Sequence, residues 1–132
     1  MTFDDDIPAN CPPMTALPVS AGDEFYRAVE SNEIAEEDFQ SWVNLGLRPR
    51  TESRCQCWGL SVWRDLDAVN HARDITPSLA EKYIAKGSLD VGDGVWEPTP
   101  SRPQPKHCTL WNDLTCDMPS KFKVIMPPVE EG

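Results

Sequence analysis

Arg27 is the first side chain in this sequence whose type and position suggest chemistry. It lies between Phe25 and Val29 in a segment, residues 24–30, that alternates as a strand does. A guanidinium on an apolar face needs an acceptor, and it can bind a phosphate or carboxylate through two parallel hydrogen bonds. A structural salt bridge to one of the nearby acids is the alternative.

Ser61 is a second polar residue within an apolar segment, between Leu60 and Val62. Its hydroxyl could orient another polar group or bond to a backbone carbonyl. No G-x-S-x-G motif surrounds it, and neither His71 nor His107 follows a known hydrolase order. The sequence therefore does not predict a serine triad.

The segment 107–111, HCTLW, is the third candidate. On a strand, His107, Thr109 and Trp111 share one face, which suits a pocket for a nucleotide base. The alternative is that Trp111 fills the core and His107 caps a loop. The ligand-binding candidates are therefore Arg27, Ser61, His107, Thr109 and Trp111.

Five cysteines raise the question of disulfides or metal. The N-terminus carries neither the basic nor the apolar region of a secretion signal, so we expect a cytoplasmic chain with reduced thiols and no disulfide framework. Zinc sites favour C-x2-4-C spacing, whereas this chain has C-x-C. We expect no metal, with one alternative zinc set formed by Cys55, Cys57, His107 and Cys108.

The charge is acidic and unevenly placed. Lys plus Arg number 12 against 22 for Asp plus Glu, a net charge of -10 that disfavours nucleic acid and anionic membrane surfaces. Residues 1–40 hold ten acidic side chains against Arg27 alone. This N-terminal segment could bind a basic protein partner, or its charge could serve only to keep the chain in solution.

Hydrophobic periodicity predicts an ordered set of elements. Gly46 ends the first predicted helix, and Asp65 is the expected N-cap of the second, which must stop before Pro77. We expect an α+β fold with a small mixed or antiparallel sheet core and two or three helices. The predicted strands are residues 24–30, 57–63, 82–91, 107–111 and 122–126, and the first helix is residues 33–45.

Proline and glycine mark the ends of the domain and one long loop. Residues 1–22 are predicted to form an irregular acidic arm, and residues 23–127 a single domain. Within it, residues 97–106 form a proline-rich loop of the kind that often covers a binding site. Residues 128–132 form a tail.

The segments FYRAV (25–29), GLSVW (59–63) and HCTLW (107–111) resemble small uncharacterised bacterial proteins with a FYR…GxSV…HxTLW pattern. That group is distantly similar to the ADP-ribosyltransferase-like fold. The resemblance implies that Arg27 helps to hold NAD and that Ser61 shapes the nicotinamide pocket. The family's late glutamate has no clear counterpart, because Glu97 lies in the proline loop, and His107, Thr109 or Asp113 would take its place.

Two functions follow from these features. The first is a pocket for NAD or another nucleotide, with or without catalysis. The alternative is a non-catalytic acidic interaction protein, such as an immunity protein, antitoxin or accessory factor, that binds a basic partner.

Overall fold

The structure is a computed structural model that describes residues 1–46 and 53–129, and it has the predicted α+β fold. One helix has ten residues, and the other helical segments of the described residues have four each. The strands of the described residues are β1 Leu17–Pro18, β2 Asp23–Val29, β3 Leu60–Val62, β4 Tyr83–Leu89, β5 Gly94–Pro98, β6 Cys108–Asn112 and β7 Phe122–Met126. The helices are α1 Trp42–Leu45, α2 Leu66–Ile75, α3 Pro77–Ala80 and α4 Met118–Lys121, with 3-10 helices at Glu36–Phe39 and Cys55–Trp58.

The strands form two antiparallel sheets. One has the order β1-β5-β6-β3 and the other β2-β4-β7. An antiparallel bridge joins them, in which the amide of Tyr26 donates to the carbonyl of Trp63 (2.7 Å) and the reverse bond measures 2.9 Å. This bridge holds β2 beside β3, and so places Arg27 close to Ser61.

The alternation of side chains along β2 divides the apolar residues into two clusters. Phe25 and Val29 belong to the main core between the sheets, whereas Tyr26 packs with Val69 and Ala72 of α2. Arg27 shares the face of Phe25 and Val29, as the sequence pattern predicts. Its guanidinium is therefore directed between the two sheets and away from α2.

The helix that follows Asp65 agrees with the prediction, and the one before it does not. The Asp65 carboxylate accepts from the amide of Ala68 at 2.7 Å, and α2 ends at Ile75, ahead of Pro77. The single helix predicted for residues 33–45 is instead a 3-10 helix followed by α1. The cause is Ser41, which takes an extended conformation and caps α1 by accepting from the amide of Asn44.

Strand β5 was not predicted, and it includes Glu97 and Pro98, the first two residues of the loop predicted for residues 97–106. It pairs with β6 along its whole length. A Cβ at Gly94 would lie 2.6 Å from the carbonyl oxygen of Trp111, so the glycine permits a close approach of two backbones. The predicted strand 57–63 is likewise shorter, because the 3-10 helix Cys55–Trp58 occupies its first half.

The N-terminal arm, residues 1–22, contains only the two-residue strand β1 among the named helices and strands, and it is attached to the domain. Val19 is buried, and the amide of Leu114 donates to the carbonyl of Thr2. Cys11 and Cys55 form a disulfide, so the prediction of five reduced thiols is wrong. The cytoplasmic location, which was expected because the N-terminus lacks the features of a secretion signal, stays a prediction. No helix in residues 1–46 and 53–129 has the length and apolar character needed to span a bilayer.

Candidate functional site

An open cleft of about 850 Å³ lies where the two sheets meet. Its walls come from β2, the 3-10 helix Glu36–Phe39, β3, the start of β6 and the proline-rich loop. The volume is within the usual range for small-molecule and cofactor pockets. Four of the five predicted ligand-binding residues line it: Arg27, Ser61, His107 and Thr109.

A chain of hydrogen bonds runs along one wall of the cleft. Ser61 Oγ lies 2.8 Å from His107 Nε2, and His107 Nδ1 lies 2.8 Å from Thr99 Oγ1. Thr99 Oγ1 is in turn 2.8 Å from Thr109 Oγ1. Ser61 and Thr109 are direct partners in the β3–β6 ladder, which is why their side chains occupy the same face.

The surroundings of His107 determine which ring nitrogen carries the proton. Nδ1 lies 3.2 Å from the carbonyl oxygen of Thr99, and a carbonyl can only accept. Nδ1 is therefore assigned as the N–H, which leaves Nε2 to accept from the hydroxyl of Ser61. Burial lowers the pKa of His107 and outweighs the opposing hydrogen bond to Thr99, so the imidazole is neutral at pH 7.

Arg27 donates to two backbone carbonyls: its Nε to that of Asp38 (2.7 Å) and its Nη1 to that of Ser61 (2.8 Å). No ion pair joins Arg27 to a carboxylate of the described residues. The salt-bridge alternative therefore does not describe this arginine. Burial lowers the pKa of Arg27 to about 10, against the weaker opposing effect of Asp38, because the cation is desolvated beside neutral acceptors.

The remaining charges of the cleft are mostly on its rim. Lys82 is paired with Glu30, and the Asp38 carboxylate accepts from the backbone amides of Glu30 and Ala35. Glu30, Glu33 and Glu37 are exposed, whereas Arg27 is half-buried. The charged lining residues are Arg27, Glu30, Glu33, Glu37, Asp38, Arg54 and Lys82.

Trp111 does not reach the cleft. It is buried, donates through Nε1 to the carbonyl of Cys55 at 3.1 Å, and lines a second, smaller cavity. Its position on the same face of β6 as Thr109 is consistent with a Cβ built at Gly59, which would lie close to both side chains. Thr109 and Trp111 therefore lie on one face of β6, but the cleft ends before it reaches Trp111.

The alternative zinc set is not brought together. Cys55 is held in the disulfide, and Cys108 lies in the main core, whereas His107 faces the cleft. Across the two described stretches, no three His, Cys, Asp or Glu side chains are grouped so that they could hold a metal ion.

The acidic residues considered for the place of the family's late glutamate also lie outside the cleft. Glu97 accepts from the hydroxyl of Thr15 at 3.0 Å. Asp113 is buried, where it accepts from the amide of Thr2 and the hydroxyl of Thr115. Only His107 and Thr109 of the proposed substitutes face the site.

Sequence reasoning missed two polar residues of the proline-rich segment. Thr99 positions His107, and Gln104 lines the cleft while donating through Nε2 to the hydroxyl of Thr76 at 3.0 Å. The sequence offered one indirect signal, namely that long loops often cover binding sites. It did not indicate which loop residues face inward.

Comparisons of the chain with protein-family models, curated proteins and solved structures found no match. The ADP-ribosyltransferase-like resemblance therefore stays a prediction. A functional argument for this chain has to start from the geometry of the cleft.

Proposed function

We propose that the chain binds a nucleotide in this cleft, with NAD as the first ligand to test. The observation that carries the proposal is the convergence of Arg27, Ser61, His107 and Thr109 on one cavity of about 850 Å³. The proposal concerns binding and leaves turnover open.

Arg27 is the expected phosphate contact. Its two carbonyl partners engage only part of a guanidinium that carries five N–H donors. Its pKa of about 10 reflects a desolvation by burial that the charge of Asp38 offsets only in part, and a phosphate would add further negative charge. Binding should therefore raise the pKa of Arg27.

The residues next to Arg27 suit neutral polar groups. The hydroxyls of Ser61 and Thr109 and the neutral ring of His107 can exchange hydrogen bonds with ribose hydroxyls or a carboxamide. A ligand with one anionic part and one neutral polar part fits both kinds of group. NAD and ADP-ribose have that composition, whereas nicotinamide lacks the phosphates.

The test is thermal unfolding of the full chain with NAD, ADP-ribose, AMP and nicotinamide at graded concentrations. A ligand at 100 times its Kd stabilises the folded state by about 2.7 kcal/mol. We expect NAD or ADP-ribose to raise the melting temperature in a saturable way, and Ser61→Ala and His107→Gln to weaken that effect. The matched control is His71→Gln, an identical change at an exposed histidine outside the cleft. If no phosphate-containing ligand raises the melting temperature even at millimolar concentration, the proposal is wrong.

A second function, binding of a basic protein partner, is favoured by three exposed acids. Glu33, Glu36 and Glu37 are exposed, and none forms an ion pair with another described residue. Attraction between such a surface and a basic chain weakens with salt. Titration with a lysine-rich peptide at rising salt should show that weakening, and the triple Gln variant should abolish it. An affinity that salt leaves unchanged would rule this function out.

A further inference from the structure

Ser61 and His107 form an arrangement that goes beyond ligand binding. The Ser61 Oγ and His107 Nε2 atoms are 2.8 Å apart, within the distance at which a general base takes a proton from a nucleophile. Both side chains line the open cleft, so an incoming molecule can reach the hydroxyl. Ser61 is half-buried and is not part of the apolar core.

The direction of the hydrogen bond is the one that activation requires. The Thr99 carbonyl holds the proton on Nδ1, so that the Nε2 lone pair is directed at the hydroxyl of Ser61. Thr99 and His107 are further joined by a bond from the Thr99 amide to the His107 carbonyl (2.9 Å), which limits movement between the loop and β6. The base is thus oriented by a third group, as in nucleophilic sites generally.

Arg27 adds a positive charge to the same place. Its Nη1 donates to the backbone carbonyl of Ser61 itself, at 2.8 Å. A guanidinium beside the nucleophile stabilises negative charge on a phosphoryl group that the nucleophile attacks. This favours phosphorus as the electrophilic centre.

We propose that Ser61 is a nucleophile, with His107 as its general base, that attacks phosphate esters bound in the cleft. As Ser61 Oγ forms a bond to phosphorus, its proton passes to His107 Nε2. The bond from phosphorus to the leaving oxygen breaks, and that oxygen takes the proton from His107. Water then attacks the phosphorus and gives its proton to His107 Nε2. The bond from phosphorus to Ser61 Oγ breaks, and Ser61 Oγ takes that proton from His107, which restores the hydroxyl and the neutral imidazole.

The test is labelling of the full chain with an alkyl fluorophosphonate, followed by intact mass and peptide mapping. Ser61 Oγ bonds to phosphorus, the P–F bond breaks, fluoride leaves, and the proton is carried away through His107. We expect one adduct, on Ser61, in the wild type and in His71→Gln. Ser61→Ala should give none, and His107→Gln should slow labelling by at least about 100-fold.

Thr99 acts through His107 as a positioning residue, and Thr99→Val tests that role. The variant keeps the carbonyl but loses the hydroxyl acceptor, so the imidazolium is less stable and the pH midpoint of the labelling rate should move lower. The charged lining residues named above make no ion pair with His107. A purely structural role of Thr99 would change the amount of folded protein and leave this midpoint unchanged.

The wild-type result alone decides the reactivity of Ser61. The proposal is overturned if Ser61 is not labelled, or if it reacts no faster than Ser88, an exposed serine on β4. Equal rates in the wild type and in folded His107→Gln would overturn the role of His107. The probe contains no nucleotide, so a failure of NAD binding and a failure of this proposal are separate outcomes.

Discussion

Reduction of the Cys11–Cys55 disulfide should destabilise the protein strongly, because this bond closes a long loop. The two cysteines are separated by 44 positions in the sequence. The bond joins the N-terminal arm to the 3-10 helix Cys55–Trp58, whose residues Gln56 and Cys57 line the cleft. Its loss would therefore remove one attachment of the arm and loosen one wall of the site.

The magnitude follows from the entropy of the unfolded chain. Closing a loop of this length (44 positions) removes chain entropy worth about 4 kcal/mol at 25 °C. Unfolding of a chain of 132 residues has an entropy of about 0.28 kcal/mol/K near its midpoint. Reduction should lower the melting temperature by about 10–15 °C.

The assay is thermal unfolding followed by circular dichroism, with and without dithiothreitol. The Cys11→Ser/Cys55→Ser variant should melt at the temperature of the reduced wild type and show no response to reductant. Cys116→Ser removes a cysteine that is free in the structure, and it should keep the full response.

Two results would refute this reasoning. One is alkylation of all five cysteines in the denatured but unreduced chain, which would show that the bond does not form. The other is an unchanged melting temperature in a sample that mass spectrometry shows to be fully reduced.

Three further predictions concern the site and its supporting elements. Burial lowers the pKa of His107, so the unfolded chain binds a proton first as the pH falls below about 6.5. As the pH falls below this value, the free energy of unfolding of the wild type should decrease by up to about 1.4 kcal/mol per pH unit. Urea unfolding should show no such decrease in His107→Gln. Gly59→Ala would place a Cβ 2.4 Å from Thr109 Cγ2, and urea unfolding should show a loss of about 1–3 kcal/mol. Asp65→Ala removes the cap on the amide of Ala68, and the urea midpoint should fall by the equivalent of about 1 kcal/mol.

Each of these has a control close to the change. His71→Gln makes the same change at an exposed histidine outside the cleft and is the matched control for His107→Gln. Ser88→Ala, at an exposed strand position, should leave the urea midpoint unchanged, and so should Asn70→Ala, which leaves the α2 cap in place. If the wild type and His107→Gln respond to pH in the same way, the argument about the burial of His107 is wrong. An unchanged urea midpoint in Gly59→Ala or in Asp65→Ala would contradict the argument about the backbone contact or the helix cap.

The elements that could be predicted are those in which local and tertiary preferences agree. Asp65 has one reasonable role before an amphipathic segment, and Phe122–Met126 lies as predicted. Strand β5 could not be predicted, because Gly94 is favoured there by the close approach of β6 and not by any local strand preference. The disulfide forms because the fold brings Cys11 of the arm close to Cys55 of the domain. The spacing of the cysteines in the sequence does not predict that distance.

The site was predictable to the extent that it depends on alternation along strands. Residues two apart share a face, so His107 and Thr109 could be grouped, and Arg27 could be placed between core residues. The bridge between Tyr26 and Trp63, which brings those faces together, has no local signature. The same holds for Thr99, whose role comes from the packing of a loop against β6.

The acidic character of the whole chain does not decide what the cleft binds. A net charge of -10 acts at long range, where salt screens it, whereas Arg27 acts within a desolvated pocket at contact distance. The carboxylate of Asp38, whose charge acts on Arg27, accepts hydrogen bonds from the amides of Glu30 and Ala35. The positive charge of Arg27 would thus attract an anionic ligand with little opposition from Asp38. The exposed acids Glu33 and Glu37 would slow the approach of the ligand more than they weaken its binding. Neutralising Glu33 and Glu37 together should accordingly raise the association rate of NAD more than it lowers the dissociation rate, as stopped-flow binding would measure. An equal change in both rates would show that these acids contact the ligand directly.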